Sequence, residues 1–175
     1  MHQSICKLVG LAWITLMPAM AAASDLATDT PVESGTGPGK LIQVQHVEVI
    51  QSPGGRVVVL NMPDKSIPIF VDSMVALSIQ AALSGDGPLR PLSHDLMHSI
   101  LGSLDAKVTQ VAITLRNGTY YAALTITAGG KPQVFDSRAS DAIALAIRAR
   151  APIMLDAAVV DSAGVEQSER KRDSI

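Results

Sequence analysis

Two glycine-containing turns, 12 residues apart, constrain the fold of this 175-residue chain more than any other feature. Apolar and polar residues alternate over Val108–Leu115 and again over Thr119–Thr127, and Asn117-Gly118 separates the two segments. Asn-Gly between alternating segments is the strongest short-range signal for a β-hairpin, because both turn residues adopt positive φ. Gly129-Gly130 then turns the chain into a third strand. The sequence therefore predicts a three-stranded antiparallel meander.

Strands and helices predicted on either side of this meander complete an α+β domain. Three short strands joined by tight turns are predicted within residues 41–71. Apolar residues at helical spacing predict helices that begin at Ser73, Ser93 and Ser140, each with its serine as the N-cap. A closing strand is predicted at residues 152–155. We expect a single compact α+β domain of mostly antiparallel strands and hairpins with three helices.

The N-terminus has the three-part layout of an export signal. Lys7 precedes an apolar run at residues 8–17, and small residues at positions 19–23 suit cleavage. The run is shorter than the ~20 residues of a membrane-spanning helix, and Pro18 ends it, so we expect no stable membrane anchor after processing. An uncleaved N-terminal anchor is the alternative. Residues 1–23 are predicted to be a signal peptide, and the processed chain to be periplasmic or secreted.

Composition divides the rest of the chain. Residues 24–40 are rich in Gly, Pro, Ser and Thr and nearly lack large apolar side chains, which predicts a flexible linker. Residues 163–175 are predicted to be a charged, solvated tail, so that the domain occupies residues 41–162. Cys6 is the only cysteine and precedes the apolar run, so the processed domain would be stabilised by packing without disulfides.

Charge and aromatic content argue against a conventional nucleic-acid-binding surface. The chain has 14 Lys and Arg against 16 Asp and Glu, a formal net charge of −2. Because phosphate contacts supply most non-specific affinity for nucleic acid, such a partner would require a local positive patch. Aromatic residues make up 3% of the chain, which disfavours the multi-aromatic stacking surfaces of oligonucleotide-binding sheets.

A pair of histidines suggests a metal site only weakly. His94 and His98 are four residues apart on the predicted second helix, so both would face one side and could share a metal. Zinc-protease helices place a glutamate directly after the first histidine, whereas this chain has Asp95 there. The alternative, which we favour, is a partly buried His94 and an exposed His98 without a shared metal.

A second polar constellation lies at the predicted start of helix three. Asp136, Arg138, Ser140 and Asp141 surround backbone N–H groups that attract anions, so they could hold a phosphate or orient an attacking water. The alternative is a capped helix start with an internal Asp–Arg pair, which the sequence alone favours. Arg90, in a stiff loop before helix two, suits either anion recognition or a structural tie to one of these carboxylates.

Three segments in chain order resemble the bifunctional nuclease family: Arg90–Leu96 (RPLSHDL), Asn117–Tyr121 (NGTYY) and Asp136–Arg148 (DSRASDAIALAIR), followed by Ala-Pro-Ile. The resemblance spans roughly residues 57–160. It implies a small α+β domain with nuclease activity toward both DNA and RNA, and hence nucleic acid as a partner.

The family's Arg-Pro-Leu-Thr-His-Asp and Asp-Ala-Arg-Pro-Ser-Asp-Ala patterns keep their polar groups in this sequence. The resemblance, together with the clustering of these residues, implies a division into catalytic and substrate-binding side chains. The implied catalytic residues are His94, Asp95, Asp136 and Asp141, and the implied substrate-binding residues are Arg90, Arg138 and Ser140. The cofactor stays open, with a divalent metal, Mg²⁺ or Mn²⁺, as the candidate.

One part of the family pattern is missing. Where the family usually has Gly-Pro-x-Glu-Ala at the start of helix one, this chain has Asp72-Ser-Met-Val-Ala76, so that Val75 replaces the glutamate. If that glutamate binds a metal or acts as a base, activity would be impaired, with Asp72 as a substitute. The alternative function is therefore a non-catalytic exported binding or assembly module of the same fold. A homo-oligomer is also expected, because hairpin-rich domains often bury a strand edge in a dimer.

Overall fold

The structure, a computed structural model, describes residues 39–166. The predicted signal peptide, nearly all of the predicted linker and residues 167–175 of the predicted tail lie outside the described residues. The elements in chain order are β1 (Leu41–Gln43), β2 (His46–Ser52), β3 (Gly55–Asn61), β4 (Lys65–Val71), α1 (Ser73–Ser84), α2 (Ser93–Ser103), β5 (Ala106–Arg116), β6 (Thr119–Ala128), β7 (Lys131–Arg138), α3 (Ala139–Ala149), β8 (Ile153–Asp156), α4 (Ala157–Ala163) and β9 (Val165–Glu166).

The described strands form two sheets. The five-stranded sheet has the order β1-β8-β5-β6-β7, and the four-stranded sheet has the order β2-β3-β4-β9. The predicted meander is confirmed as β5-β6-β7. Its turns have φ of 51° and 76° at Asn117 and Gly118, and of 56° and 75° at Gly129 and Gly130. These positive values are those of two-residue hairpin turns.

The prediction of three helices is wrong, because the described residues contain four. The additional helix, α4, has seven residues and directly follows β8, which was predicted to close the domain. Asp156 terminates β8 and also caps α4, since its Oδ1 accepts a hydrogen bond of 2.9 Å from the Ala158 N–H. A helix this short carries little periodicity, which is why the pattern missed it. The α+β class and the single domain agree with the structure.

The five-stranded sheet is mixed rather than purely antiparallel. β8 pairs parallel with β5, in the register Val111↔Ile153, and antiparallel with β1. A parallel pair needs a crossover, and α3 supplies it between β7 and β8. Beyond α4, β9 pairs with Lys65 and Ser66 of β4, so Val165 and Glu166, within the predicted tail, take part in a sheet.

The N-caps of the three predicted helices lie one or two residues before the predicted serines. Ser73 and Ser93 are the first residues of α1 and α2, and Ser140 is the second residue of α3. The cap of α1 is Asp72, whose Oδ1 accepts a 2.8 Å hydrogen bond from the Met74 N–H. The polar side chains near these helix starts are therefore available for other contacts.

α3 is the central helix of the domain. Its Ala142, Ile143 and Ala146 are fully buried and belong to one apolar core with residues of both sheets, including Leu60 and Ile113. α1 and α2 both contact α3, and in α2 only His94 is buried. No helix within residues 39–166 is long and apolar enough to cross a membrane. The three helix starts and their polar residues thus lie beside a rigid core.

Candidate functional site

The first turns of α2 and α3 meet at an open hollow of about 300 Å³. His94 Nε2 lies 3.2 Å from Asp141 Oδ1 across this junction. Arg138 at the end of β7, Ser78 of α1 and two methionines also line the hollow. The candidate site can form only if these two helix starts lie together, and the structure places them so.

His94 is held at both ring nitrogens. Its side chain is 7% exposed, and its Nδ1 lies 3.0 Å from the Ser78 Oγ. The same Ser78 Oγ accepts a 2.8 Å hydrogen bond from Arg148 Nη2, so its own hydrogen is left to donate to Nδ1. The neutral ring then carries its hydrogen on Nε2 and donates it to Asp141, an assignment that follows from the hydrogen-bond network. His94 therefore has no free lone pair in this arrangement.

Asp141 accepts hydrogen bonds from two sides. Arg138 donates to it with a fork, Nε to Oδ2 at 2.6 Å and Nη2 to Oδ1 at 3.0 Å, while His94 donates to Oδ1. Burial raises the pKa of the Asp141 carboxyl, but the hydrogen bonds from Arg138 and His94 outweigh it, so this pKa lies below its usual value. Asp141 is thus an ionised carboxylate, with a quarter of its side chain exposed to the hollow.

Asp95 faces a different partner. Its Oδ1 accepts a 2.7 Å hydrogen bond from Arg148 Nε, and its Oδ2 accepts one of 2.8 Å from the Leu92 N–H. The hydrogen bond from Arg148 is the main reason that the pKa of Asp95 lies below its usual value. Arg148 is 6% exposed and also donates to the carbonyl oxygens of Ala144 and Ser78. Asp95 therefore ties three helices together and does not contact the hollow's carboxylate.

Ser78 and Arg148 are the site residues that sequence reasoning missed. Ser78 is 2% exposed in the middle of an apolar helix face, and Arg148 follows the apolar run of residues 142–147 in α3. A lone polar residue in a buried stripe has to find a partner, and that was the available signal. Ser78, His94 and Asp141 have the connectivity of a Ser-His-Asp triad, but the buried hydroxyl cannot reach a substrate.

The other predicted site residues lie apart from this cluster. Asp136 is exposed on β7, and its neighbour Ser137 pairs with the buried Ala122, so Asp136 points to the sheet face opposite the core. Arg90 is exposed in the loop before α2 and makes no ion pair within residues 39–166. The Ser140 hydroxyl makes no hydrogen bond to any described residue. The structure brings together only His94, Asp141 and Arg138 of the predicted set.

The described residues do not form a metal site. No three His, Cys, Asp or Glu side chains in the described part of the chain lie close enough to hold an ion. His94 is buried with both ring nitrogens engaged, and His98 is exposed, as the burial predicted for this pair requires. The remaining candidate metal ligand is the Asp141 carboxylate, which already accepts three hydrogen bonds. The described side chains alone therefore do not provide a preformed site for a divalent metal.

Val75 lines the same hollow as His94 and Arg138. It is 8% exposed and lies in the first turn of α1. Sequence resemblance places the missing glutamate at this position. A carboxylate there would face the cluster, whereas valine leaves Asp141 as the only acid among the residues that line the hollow.

The lowered pKa values of Asp95 and Asp141 predict a loss of stability in acid. A carboxyl whose pKa is lower in the folded state contributes stability above its unfolded pKa of about 3.9 and loses it as pH falls through the folded value. We therefore expect Asp95→Asn to be less stable than wild type from pH 7 to 5, with a difference that shrinks below about pH 4. Urea unfolding at pH 7, 5, 4 and 3 measures this, and a constant difference would contradict it.

The sequence that forms this site matches one family of known proteins. The family model described as Bifunctional nuclease domain matches residues 58–168, which include both sides of the hollow. The uncharacterized protein Rv1829 of Mycobacterium tuberculosis strain H37Rv is 32% identical over 127 residues, covering 71% of this chain and 76% of that protein. Its counterpart in strain CDC 1551, MT1877, matches equally well.

A plant protein shows the same similarity over part of its length. Bifunctional nuclease 2 of rice, Oryza sativa subsp. japonica, is 30% identical over 125 residues, which are 67% of this chain but 38% of the rice protein. The shared region therefore covers less than half of that longer relative.

Proposed function

The chain belongs to the bifunctional nuclease domain family, and from this premise we propose that it is a nuclease that hydrolyses phosphodiester bonds in DNA, RNA or both. The observation that carries the proposal is the contact of an ionised carboxylate, Asp141, with an exposed guanidinium, Arg138, at an open hollow. A phosphate-binding cation beside an acid that can orient water is the minimum that such hydrolysis requires.

Arg138 is assigned to the phosphate. Its side chain is 72% exposed, and Asp141 uses one hydrogen of Nε and one of Nη2. Guanidinium has five N–H donors, so three are left for phosphate oxygens. Asp141 holds the guanidinium in place, and the developing negative charge of the transition state would be neutralised by Arg138.

Asp141 is assigned to the attacking water. Its lowered pKa keeps it ionised but makes it a weak base, so its main action is to accept a hydrogen bond from the water and orient it toward phosphorus. His94 fixes Asp141 from the buried side and is a positioning residue in this arrangement. Asp95 acts one step further away, through Arg148 and Ser78. Arg90 and Ser140 stay predictions for contacts with more distant parts of the substrate, and the catalytic role predicted for Asp136 is tested by Asp136→Asn below.

We assign the neutralising charge to Arg138 because the described donors do not form a metal site. Mg²⁺ is commonly held by one or two carboxylates together with substrate phosphates, so the assay below includes divalent cations.

A non-catalytic binding or assembly module is the second candidate. It is favoured by the burial and complete hydrogen bonding of Ser78, His94 and Arg148, which is what a purely structural tie between helices requires. Val75 in the hollow favours it as well. Thermal melts of His94→Ala, Arg138→Ala and Asp141→Ala separate the candidates, since a structural cluster predicts large losses in all three.

Export and self-association are further proposals. The signal in residues 1–23 supports a periplasmic or secreted protein. β7 is an edge strand with Val134 66% and Phe135 44% exposed, which supports pairing with a second copy along that edge. Light scattering during size-exclusion chromatography measures the mass of the purified protein.

Cleavage by the purified full chain tests the proposed function. End-labelled DNA and RNA strands, single and duplex, are incubated with Mg²⁺, Mn²⁺, Ca²⁺ or EDTA. We expect wild type to shorten at least one substrate and Asp141→Asn, purified identically, to leave it intact, which also excludes a contaminating nuclease. Failure to cut any substrate with every cation would contradict the proposal, and the EDTA arm decides whether a cation assists.

A further inference from the structure

A tyrosine and an arginine lie together on the outer face of the five-stranded sheet, beside the β7 position from which Arg138 reaches the hollow. Tyr121 of β6 and Arg138 of β7 are Cα partners. Thr114 is the partner of Tyr121 on β5, so Arg116, two residues further on, faces the same side. The Arg116 Cζ lies 5.8 Å from the centroid of the Tyr121 ring. The ring therefore lies between two guanidinium-bearing positions.

The register brings Tyr121 especially close to Arg138. Ala128 and Lys131 close the two-residue Gly129-Gly130 turn and form a hydrogen-bonded pair. Such pairs alternate along an antiparallel ladder, and seven unbroken steps lead to Tyr121↔Arg138, which is therefore a non-hydrogen-bonded pair. Side chains approach most closely in pairs of this kind. The position of Tyr121 is thus adjacent to that of Arg138, whose guanidinium holds Asp141.

The Tyr121 ring is not part of the apolar core. Its neighbour Tyr120 packs against the core, and burial raises the pKa of Tyr120. Tyr121 is 40% exposed instead, and its hydroxyl makes no hydrogen bond within residues 39–166. A large apolar ring that neither fills the core nor satisfies a polar partner is available to a ligand.

We propose that Tyr121, Arg116 and Arg138 form a subsite for single-stranded nucleic acid, in which one base stacks against the Tyr121 ring and the neighbouring phosphates bind the two arginines. This rests on the proposed nuclease function and specifies its substrate. A base can offer its face to a side chain only where it is unstacked, which excludes the interior of a duplex. A chain with net charge −2 needs local cations to bind phosphate. Arg116 supplies one beside the ring, and Arg138 has three N–H groups left over from its pairing with Asp141. Asp136 lies on the same face two residues before Arg138, so the phosphate contacts depend on these two guanidinium groups and not on a net positive patch.

Binding of fluorescein-labelled oligonucleotides tests the subsite. The probes are a 12-nucleotide single strand and the matching duplex, measured by anisotropy with the full chain in EDTA, with gels to confirm that they stay intact. We expect tighter binding of the single strand, and Tyr121→Ala and Tyr121→Leu to weaken it by about 10-fold without affecting the duplex. Tyr121→Phe should bind like wild type, because the ring is kept.

Two further variants sharpen the test. Tyr120→Phe is the matched control, since Tyr120 packs against the core, and it should leave both affinities unchanged. Arg116→Ala should weaken single-strand binding and flatten its dependence on salt by about one phosphate contact. Unchanged single-strand affinity in both Tyr121→Ala and Tyr121→Leu, or equal losses for the two probes, would overturn the subsite.

The subsite and the nuclease proposal fail in different ways. A protein that binds single strands through Tyr121 but cuts no substrate contradicts the nuclease and leaves the subsite standing. A protein that cuts while Tyr121→Leu binds and cuts like wild type contradicts the subsite alone.

Discussion

Replacing Asp95 with alanine is expected to lower the free energy of unfolding by about 2–4 kcal/mol, because it leaves a buried guanidinium without its counter-charge. The value is below that of a fully buried pair, since the Asp95 side chain is 39% exposed and solvent screens it. Arg148 is 6% exposed and donates its Nε to Asp95 at 2.7 Å. The Leu92 N–H at the start of α2 loses its acceptor as well. Urea unfolding at pH 7 measures the loss, which corresponds to a fall in Tm on the order of 10 °C for a domain of this size.

Two control variants show whether the loss of stability is specific to the pairing of Asp95 with Arg148. Asp95→Asn keeps the shape of the side chain and one of its two oxygens. It should therefore lower the free energy of unfolding by less, about 1–3 kcal/mol. Asp161→Ala removes a carboxylate that is 79% exposed and 3.8 Å from Lys65, so it should change stability by no more than about 0.5 kcal/mol. If Asp95→Ala were as stable as Asp161→Ala but inactive, the catalytic role first predicted for Asp95 would be correct and the structural one wrong.

The meander was predictable because its determinants are local. Asn117-Gly118 and Gly129-Gly130 adopt backbone angles that few other residue pairs accept, and the alternation on either side needs no distant contact. α4 was not predictable in the same way. Its seven residues are held by a cap at Asp156 and by packing of Val159 and Val160 into the core, which depends on the rest of the fold.

The candidate site was predictable only in outline. The motifs located polar residues at the starts of α2 and α3. Their tie is Arg148, which is 53 residues from its partner Asp95 and 70 residues from its partner Ser78. Such pairings are tertiary and leave no local pattern. The sequence does not distinguish Asp136 from Asp141 as catalytic candidates, because the two are close together in the chain. In the fold, Asp136 lies on the edge strand β7 and Asp141 on α3, so they face different sides of the sheet.

The largest effect on activity is expected from Asp141→Asn. The amide keeps the shape and can still accept from Arg138, but it lacks the negative charge that orients water and fixes the guanidinium. We expect kcat/KM for cleavage to fall by about 10²–10³-fold. The free energy of unfolding should fall by only about 1 kcal/mol, since a quarter of the side chain is exposed. Single-turnover cleavage and urea unfolding, measured on the same preparation, separate the two effects.

Asp136→Asn is the matched control, because it removes an equally acidic group five residues away on the opposite sheet face. We expect its kcat/KM to stay within about threefold of wild type, since Asp136 does not line the hollow. Equal losses in both variants would mean that negative charge at this end of the sheet matters, and not the position of Asp141. A large loss of stability in Asp141→Asn, with no cleavage by wild type, would instead make the cluster a tie between helices, as the binding module requires.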